Sequence, residues 1–343
     1  MISKSGSFFY TNKSLLQFIP MTTNPLTQNH TSRGYLIAFI SAIILSTTAI
    51  LIRHLSVNYH LPALILAFWR DSFVALTLLT VLGLSRPSSL HVEKRDLLYF
   101  LLYGLVLAIF NSLWTNSVVL NGAAVSTVLV YSSAAFTALL GWWLLKETLG
   151  WIKVLAVCLS LGGCVLVAGA YDPSVWQSNL LAIFTGIISG LAYAAYSLMG
   201  RKAANRGLNA WTTILYIFAF AASFLMVFNL LLGKSLPGAA SQPADMFWLG
   251  HAWAGWGVLL LLAAGPTVAG FGLYNVSLGY LPSSVANLIL STEPVFTAII
   301  AFLLLGERMT GIQVVGSLLV LGGVAIMRLF EREPATEAEP AGV

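Results

Sequence analysis

Apolar residues run in blocks of about twenty along most of this chain, separated by short polar clusters, and a block of that length crosses about 30 Å of hydrocarbon as a helix. Ten such spans are expected, over residues 34–54, 62–84, 97–119, 122–145, 150–170, 178–200, 209–232, 253–278, 282–305 and 309–330. The connections are mostly short, so consecutive spans should be antiparallel neighbours. A strand barrel would show short alternating segments instead. The expected fold class is an all-α polytopic membrane protein with ten transmembrane helices. Residues 1–32 are polar and irregular, with Met21 a candidate alternative start, and residues 331–343 are acidic and rich in Pro and Ala. Both read as disordered tails.

Charge fixes the orientation. Charged residues make up 8% of the chain, against about 25% in soluble proteins, and the basic ones sit between the blocks. With a cytoplasmic N-terminus, the inner segments hold Lys4, Lys13 and Arg33; Arg86, Lys94 and Arg95; Lys146 and Lys153; Arg201, Lys202 and Arg206; Arg328 and Arg332. The outer segments hold only Arg53, Lys234 and Arg308. This asymmetry predicts a cell-membrane protein with both termini cytoplasmic. It also supports the count of ten, because one span more or fewer scrambles the alternation. The basic balance serves orientation, and no nucleic-acid partner is expected.

The chain repeats itself. "VSTVLVYSSAAFTALLGWWLLKETLGWIKVLAVCLSLGG" from Val125 aligns without a gap with "VANLILSTEPVFTAIIAFLLLGERMTGIQVVGSLLVLGG" from Val285. Phe136, Thr137 and Ala138 then coincide with Phe296, Thr297 and Ala298, Glu147 with Glu307, and Gly162-Gly163 with Gly322-Gly323. A weaker match joins "LIAFISAIILS" in span 1 to "LLAIFTGIISG" in span 6. Residues 33–171 and 178–330 are therefore expected to be two five-helix repeats. Five is odd, so the second repeat enters the membrane from the opposite side, the inverted arrangement typical of secondary transporters.

These residues also resemble the drug/metabolite transporter superfamily, in its ten-helix EamA-type branch. The resemblance rests on "LPALILAFWRDSF" leading into span 2, "AAFTALLGWWLLKE" and "EPVFTAIIAFLLLGE" in spans 4 and 9, and the Gly-Gly pairs of spans 5 and 10. It covers roughly residues 33–330. It implies a carrier with a central cavity lined by spans 1, 3, 4, 6, 8 and 9, of a kind that moves amino acids, other metabolites or drug-like compounds, frequently outward. One departure is that span 4 has Ser133-Ala134 where the family often has Pro, while span 9 keeps Glu293-Pro294. The two halves are accordingly expected to differ in function.

Within the spans, Glu293 is the conspicuous charge. A carboxylate costs about 2–3 kcal/mol or more at the centre of a bilayer. Counted from Pro282, it lies about 16 Å deep, close to the midplane. Pro294 cannot donate to the carbonyl of Leu290, so it is a candidate hinge. Glu293 reads as a proton carrier, as the partner of a substrate ammonium, or as a structural pin to a neighbouring helix. Arg70 and Asp71 lie about 12–14 Å deep and point about 100° apart, so they are expected to find separate partners. Arg70 reads as a ligand for a substrate carboxylate or as an interhelical bond to carbonyls or Glu293; Asp71 reads as structural.

The candidate substrate-binding set is Thr47, Arg70, Asn111, Trp114, Tyr131, Ser132, Ser189, Tyr193, Asn275, Asn287 and Glu293, with Pro294 as hinge. Tyr196, Asn116 and Tyr274 fall near span ends and read as interface residues. "GIISG" (Gly186–Gly190) suggests a close helix contact, within the molecule or across a dimer. Glu147 and Glu307 read as caps or partners of Lys146 and Arg308. Cys158 and Cys164 are expected to be buried and reduced.

Other classes fit less well. There is no HExxH, no facing pair of Asp residues and no phosphate-binding glycine loop. The five histidines fall in the tail, loops or span ends. An enzyme, a metal centre, another cofactor and an ATP-driven pump are therefore not expected. A channel's ring of like charges is missing too. The expected function is secondary transport of a small organic metabolite, an amino acid or related compound, by alternating access, with efflux favoured by analogy. The alternative is a membrane sensor or scaffold on the same bundle. The expected partners are the solute, the lipid bilayer and, at Glu293, a coupled proton; monomer and homodimer both stay open.

Overall fold

The structure, a computed structural model, describes residues 25–145, 150–172, 179–277, 280–281, 286 and 289–330. Among the described residues it is helical, without strands. Among the described residues, seven helices are long and apolar enough to cross a membrane: Ser32–Tyr59, Ala63–Ser85, Lys94–Asn121, Ala123–Trp143, Leu180–Ala203, Ala210–Leu232 and Trp253–Ser277. Three shorter apolar helices, Trp151–Val167, Glu293–Leu305 and Gly311–Met327, take the places of spans 5, 9 and 10. The protein is thus a ten-helix membrane protein. The first helix is described over Pro25–Tyr59, so residues 25–32, expected in the tail, are helical and that part of the tail reading is corrected. Residues 1–24 and 331–343 lie outside the described residues.

Contacts between span ends follow the expected threading. On one side, Arg206 pairs with Asp96, Tyr216 donates to the carbonyl of Leu90 at 2.8 Å, and Tyr99 donates to that of Met199. On the other, Arg53 donates to the carbonyl of Val119, Trp248 to that of Tyr59, and the backbone N–H of Leu64 to that of Gly238. These are called the Asp96 side and the Glu307 side below. Leu84, Leu231 and Leu303 point outward, as a lipid-facing surface requires. Exposed Trp143 and Trp151 near one side, and Trp248 and Trp253 near the other, form the two aromatic belts.

The packing is unchanged in pattern when the halves are exchanged. Span 3 packs on spans 6 and 7, and span 8 packs on spans 1 and 2; spans 5 and 10, spans 2 and 7, and spans 4 and 9 pack on each other. Spans 5 and 10 show this at atomic detail. A Cβ on Gly163 would stand 2.5 Å from the carbonyl oxygen of Gly316 and 2.8 Å from the Val320 side chain. One on Gly323 would stand 2.6 Å from the carbonyl oxygen of Ala156 and would also overlap Ser160. In the repeat register Gly163 matches Gly323, Ala156 matches Gly316 and Ser160 matches Val320. The two contacts are therefore the same contact made twice, and only the second glycine of each pair makes it; Gly162 and Gly322 face open space. "GIISG" also packs internally, with Gly186 against Leu129 and Gly190 against Ser132 and the carbonyl of Leu129. Both cysteines are unbridged; Cys164 is buried, but Cys158 is exposed on the outer surface of span 5, against expectation.

Spans 4 and 9 are both broken midway, at Tyr131-Ser132 and at Ser291-Thr292, and these positions coincide in the repeat register. Each break tightens the backbone: Ser132 N–H donates to the carbonyl of Leu129 at 3.1 Å, and Thr292 N–H to that of Ile289 at 3.0 Å. Span 4 has no proline, so a break at this position does not require one; in span 9 Pro294 follows the break by two residues. The halves are also more alike here than the departure at Ser133-Ala134 suggested.

Candidate functional site

A cavity of about 350 Å³ lies between the halves. Six spans supply most of its wall: Leu45 and Thr48 from span 1; Leu107, Phe110, Asn111 and Trp114 from span 3; Thr127, Tyr131, Ser133 and Thr137 from span 4; Tyr193, Tyr196, Ser197 and Arg201 from span 6; Thr267 and Phe271 from span 8; Leu290, Ser291 and Glu293 from span 9. Spans 2, 5, 7 and 10 add Arg70, Lys153, Phe218 and Met327. The wall reaches exposed Arg201 near the Asp96 side. Towards the Glu307 side it stops near Arg70, Trp114 and Thr127. Beyond that level Leu55, Val118, Ala123 and Ala301 pack without exposure.

The closed end is tied by one carboxylate. Glu307, at the end of span 9, accepts from the backbone N–H groups of Ala123 at 2.9 Å and Ala124 at 3.3 Å, which open span 4. Uncapped N–H groups and a helix's positive end favour an anion at that spot. Arg53 of span 1 pairs with Glu307 at 3.2 Å. Gly122, at φ 85°, lets the chain turn under the carboxylate; a Cβ there would stand 2.9 Å from Oε1. Of the two readings of Glu307, the cap is the one seen and the pairing with Arg308 is not: the guanidinium of Arg308 sits 5.8 Å from the ring centre of Phe302. Glu147 and Lys146 lie outside the described residues.

At mid-membrane the phenol of Tyr131 reaches across to span 9, 2.9 Å from the carbonyl of Leu290 and 3.0 Å from Oε2 of Glu293. The Leu290 carbonyl is the one that Pro294 leaves without its helical donor. Tyr131 thus replaces the lost bond from the other half.

Nearer the closed end, Arg70 and Asp71 pair with each other, against expectation. Nε and Nη2 of Arg70 both stand 3.1 Å from Oδ1 of Asp71. The long arginine stem folds back over the angle between adjacent positions, since a buried charge left unpaired would be costly. Asn111 donates to Oδ2 of Asp71 at 2.6 Å. The Arg70 guanidinium lies 5.7 Å from the ring centre of Trp114.

Six expected site residues therefore line one cavity: Arg70, Asn111, Trp114, Tyr131, Tyr193 and Glu293. Four do not. Thr47, Ser189 and Asn275 bond to carbonyls of their own helices, those of Ile44, Gly186 and Phe271. Ser132 is buried beside Gly190, and its neighbour Ser133 takes the cavity position. Pro294 is buried beside the wall. Asn287 lies outside the described residues. Tyr196, read as an interface residue, lines the cavity instead, and so do Lys153, Ser197 and Arg201. The signal for two of these was present: Tyr193, Ser197 and Arg201 are spaced by four and share one helix face.

A profile described as the EamA-like transporter family matches residues 32–169 and 180–329. An uncharacterized transporter of Synechocystis is 27% identical over 212 residues, 62% of this chain and 60% of that protein, so the chain spans less than two thirds of that relative. The threonine/homoserine exporter RhtA of Salmonella typhimurium is 25% identical over 265 residues, 76% of this chain and 81% of the exporter. A solved crystal structure superposes with a TM-score of 0.56 at 16% identity, over 88% of this chain and 99% of the other, which is a likeness of fold.

Proposed function

Since the chain belongs to the EamA-like transporter family, we propose that it is a secondary transporter that moves a small organic metabolite, an amino acid or related compound, by alternating access. The observation that carries this reading is the cavity between the halves, with its wall reaching the Asp96 side and its other end closed by the Arg53–Glu307 tie. That is the shape of one end state of a carrier built on inverted repeats. In this reading residues 33–171 and 178–330 are the two repeats, and the cavity between them takes the solute.

The Lys/Arg distribution supports a cytoplasmic Asp96 side, with both termini there, in the cell membrane. The state described is then open to the cytoplasm and ready to load a solute for export. Efflux also agrees with the name of the exporter RhtA.

Glu293 is the proposed coupling group. A phenol has one proton to donate, yet Tyr131 faces two acceptors, the Leu290 carbonyl and Glu293. With the phenol proton on the carbonyl, a protonated Glu293 donates to Tyr131 and completes the chain. Loss of that proton leaves a buried carboxylate competing for the phenol, which couples protonation to the junction of spans 4 and 9.

The test is metabolite profiling inside and outside cells expressing the wild type, Glu293→Gln or neither, with equal membrane levels verified. A compound moved by the wild type and not by the variant supports transport with Glu293 in the cycle. A compound moved equally by both removes the coupling role. No compound moved by the wild type, together with capture of a signalling partner, favours the sensor reading.

A further inference from the structure

We propose that the corner of the cavity formed by Arg70 and Trp114 is a carboxylate site, so that the solute is an organic acid or the acid end of an amino acid. This rests on the transporter reading above and narrows its cargo.

Arg70 is 3% exposed and lines the cavity. Its guanidinium carries five N–H donors. Nε and Nη2 are directed to Oδ1 of Asp71. Among the described residues, Nη1 has no protein partner. Asp71 is fully buried and forms no part of the cavity wall, so its charge balances Arg70 from behind without meeting a solute. Asn111 holds the far oxygen of Asp71 at 2.6 Å. Asp71 and Asn111 are therefore positioning residues that fix the guanidinium plane and leave its other edge towards the cavity.

The second donor is the indole of Trp114. Its Nε1 is buried and has no hydrogen-bond partner, although Trp114 is part of the wall. A buried N–H left unmet is costly and marks a place where a ligand group belongs. The guanidinium lies over that ring, 5.7 Å from its centre, so the two unmet donors belong to side chains in contact within one part of the wall. A carboxylate has the lone pairs and the planar shape to accept from both, and charge strengthens each bond. A carboxamide offers one oxygen, and its NH₂ would face a donor.

The rest of the solute has an apolar surface to lie on. Phe110 stands next to Trp114, with ring centres 6.2 Å apart, and to Tyr193 at 5.1 Å.

The experiment uses the full chain in nanodiscs and measures binding of leucine, 4-methylpentanoate and leucinamide to the wild type and to Trp114→Phe, which keeps the ring and removes the N–H. Leucine and 4-methylpentanoate are expected to bind, with leucinamide about tenfold weaker or worse. Trp114→Phe is expected to weaken both acids about tenfold and leave leucinamide unchanged. Asn111→Ala is expected to narrow the acid-to-amide ratio severalfold; an unchanged ratio would overturn its positioning role. Equal affinity for leucinamide and leucine, equal weakening of all three by Trp114→Phe, or no binding of either acid up to about 10 mM overturns the carboxylate site. Vesicles in which the wild type moves amines or amides but not acids would overturn this site and leave the transporter reading standing. Vesicles in which it moves no solute at all would overturn that reading.

Discussion

Tyr131 and Glu293 meet across the middle of the molecule, 3.0 Å apart, each beside the break in its own span. Their positions are offset by two in the repeat register, so the contact joins the halves asymmetrically. One half supplies the phenol and the other supplies the carboxylate and the carbonyl that the phenol meets.

If this junction carries the coupled proton, an imposed pH gradient should drive solute movement in vesicles with the wild type. With Glu293→Gln the gradient should have no effect, while exchange of solute without a gradient persists. Tyr131→Phe should retain gradient dependence but lower the rate about tenfold, since it strands the Leu290 carbonyl as well as Glu293. Gradient-driven flux through Glu293→Gln at the wild-type rate would show that the proton travels elsewhere.

The Glu307 cap should set the balance between end states. Glu307→Gln or Gly122→Ala removes about 1 kcal/mol or more from the closed end and should raise the population open to the Glu307 side about fivefold. Thr127→Cys, in a background lacking Cys158 and Cys164, reports this by labelling with a membrane-impermeant thiol reagent from that side. Labelling that does not increase would mean the cap only finishes a helix.

The glycine pairs of spans 5 and 10 should separate cleanly. Gly163→Ala and Gly323→Ala place a methyl against backbone of the facing helix and should each cost about 1–3 kcal/mol. Gly162→Ala and Gly322→Ala meet nothing and should be neutral or stabilising by about 1 kcal/mol. Thermal unfolding followed by size-exclusion chromatography distinguishes the two pairs.

Asp71→Leu alone should destabilise by about 3–5 kcal/mol because it leaves Arg70 buried and unpaired. Arg70→Leu with Asp71→Leu should recover much of that loss and still fail to transport. Transport by the double variant would remove Arg70 from the site.

Span 3 and span 6 show why part of the cavity was readable and part was not. Asn111 and Trp114 were legible because polar groups in an apolar helix avoid lipid, and interior positions are what remain. Ser189 obeyed the same rule and still missed the cavity: its hydroxyl returns to the carbonyl of Gly186, a bond available to any serine in any helix. Thr47 failed likewise, one position from Thr48, which lines the wall. A helix turns 100° per residue, so an error of one position exchanges the cavity for a neighbouring helix.

The sequence by itself determined the membrane, the ten spans and the duplication. Hydrocarbon thickness, desolvation cost and residue order are enough for these. Tertiary structure alone decided that Arg70 folds back on Asp71, that Glu307 caps a helix in the other half, that Tyr131 satisfies the carbonyl Pro294 leaves open, and which end of the cavity is closed. Each depends on which side chains from distant parts of the chain arrive within about 3 Å of one another. Helix periodicity fixes directions around one axis, but not the rotation and tilt at which ten axes pack.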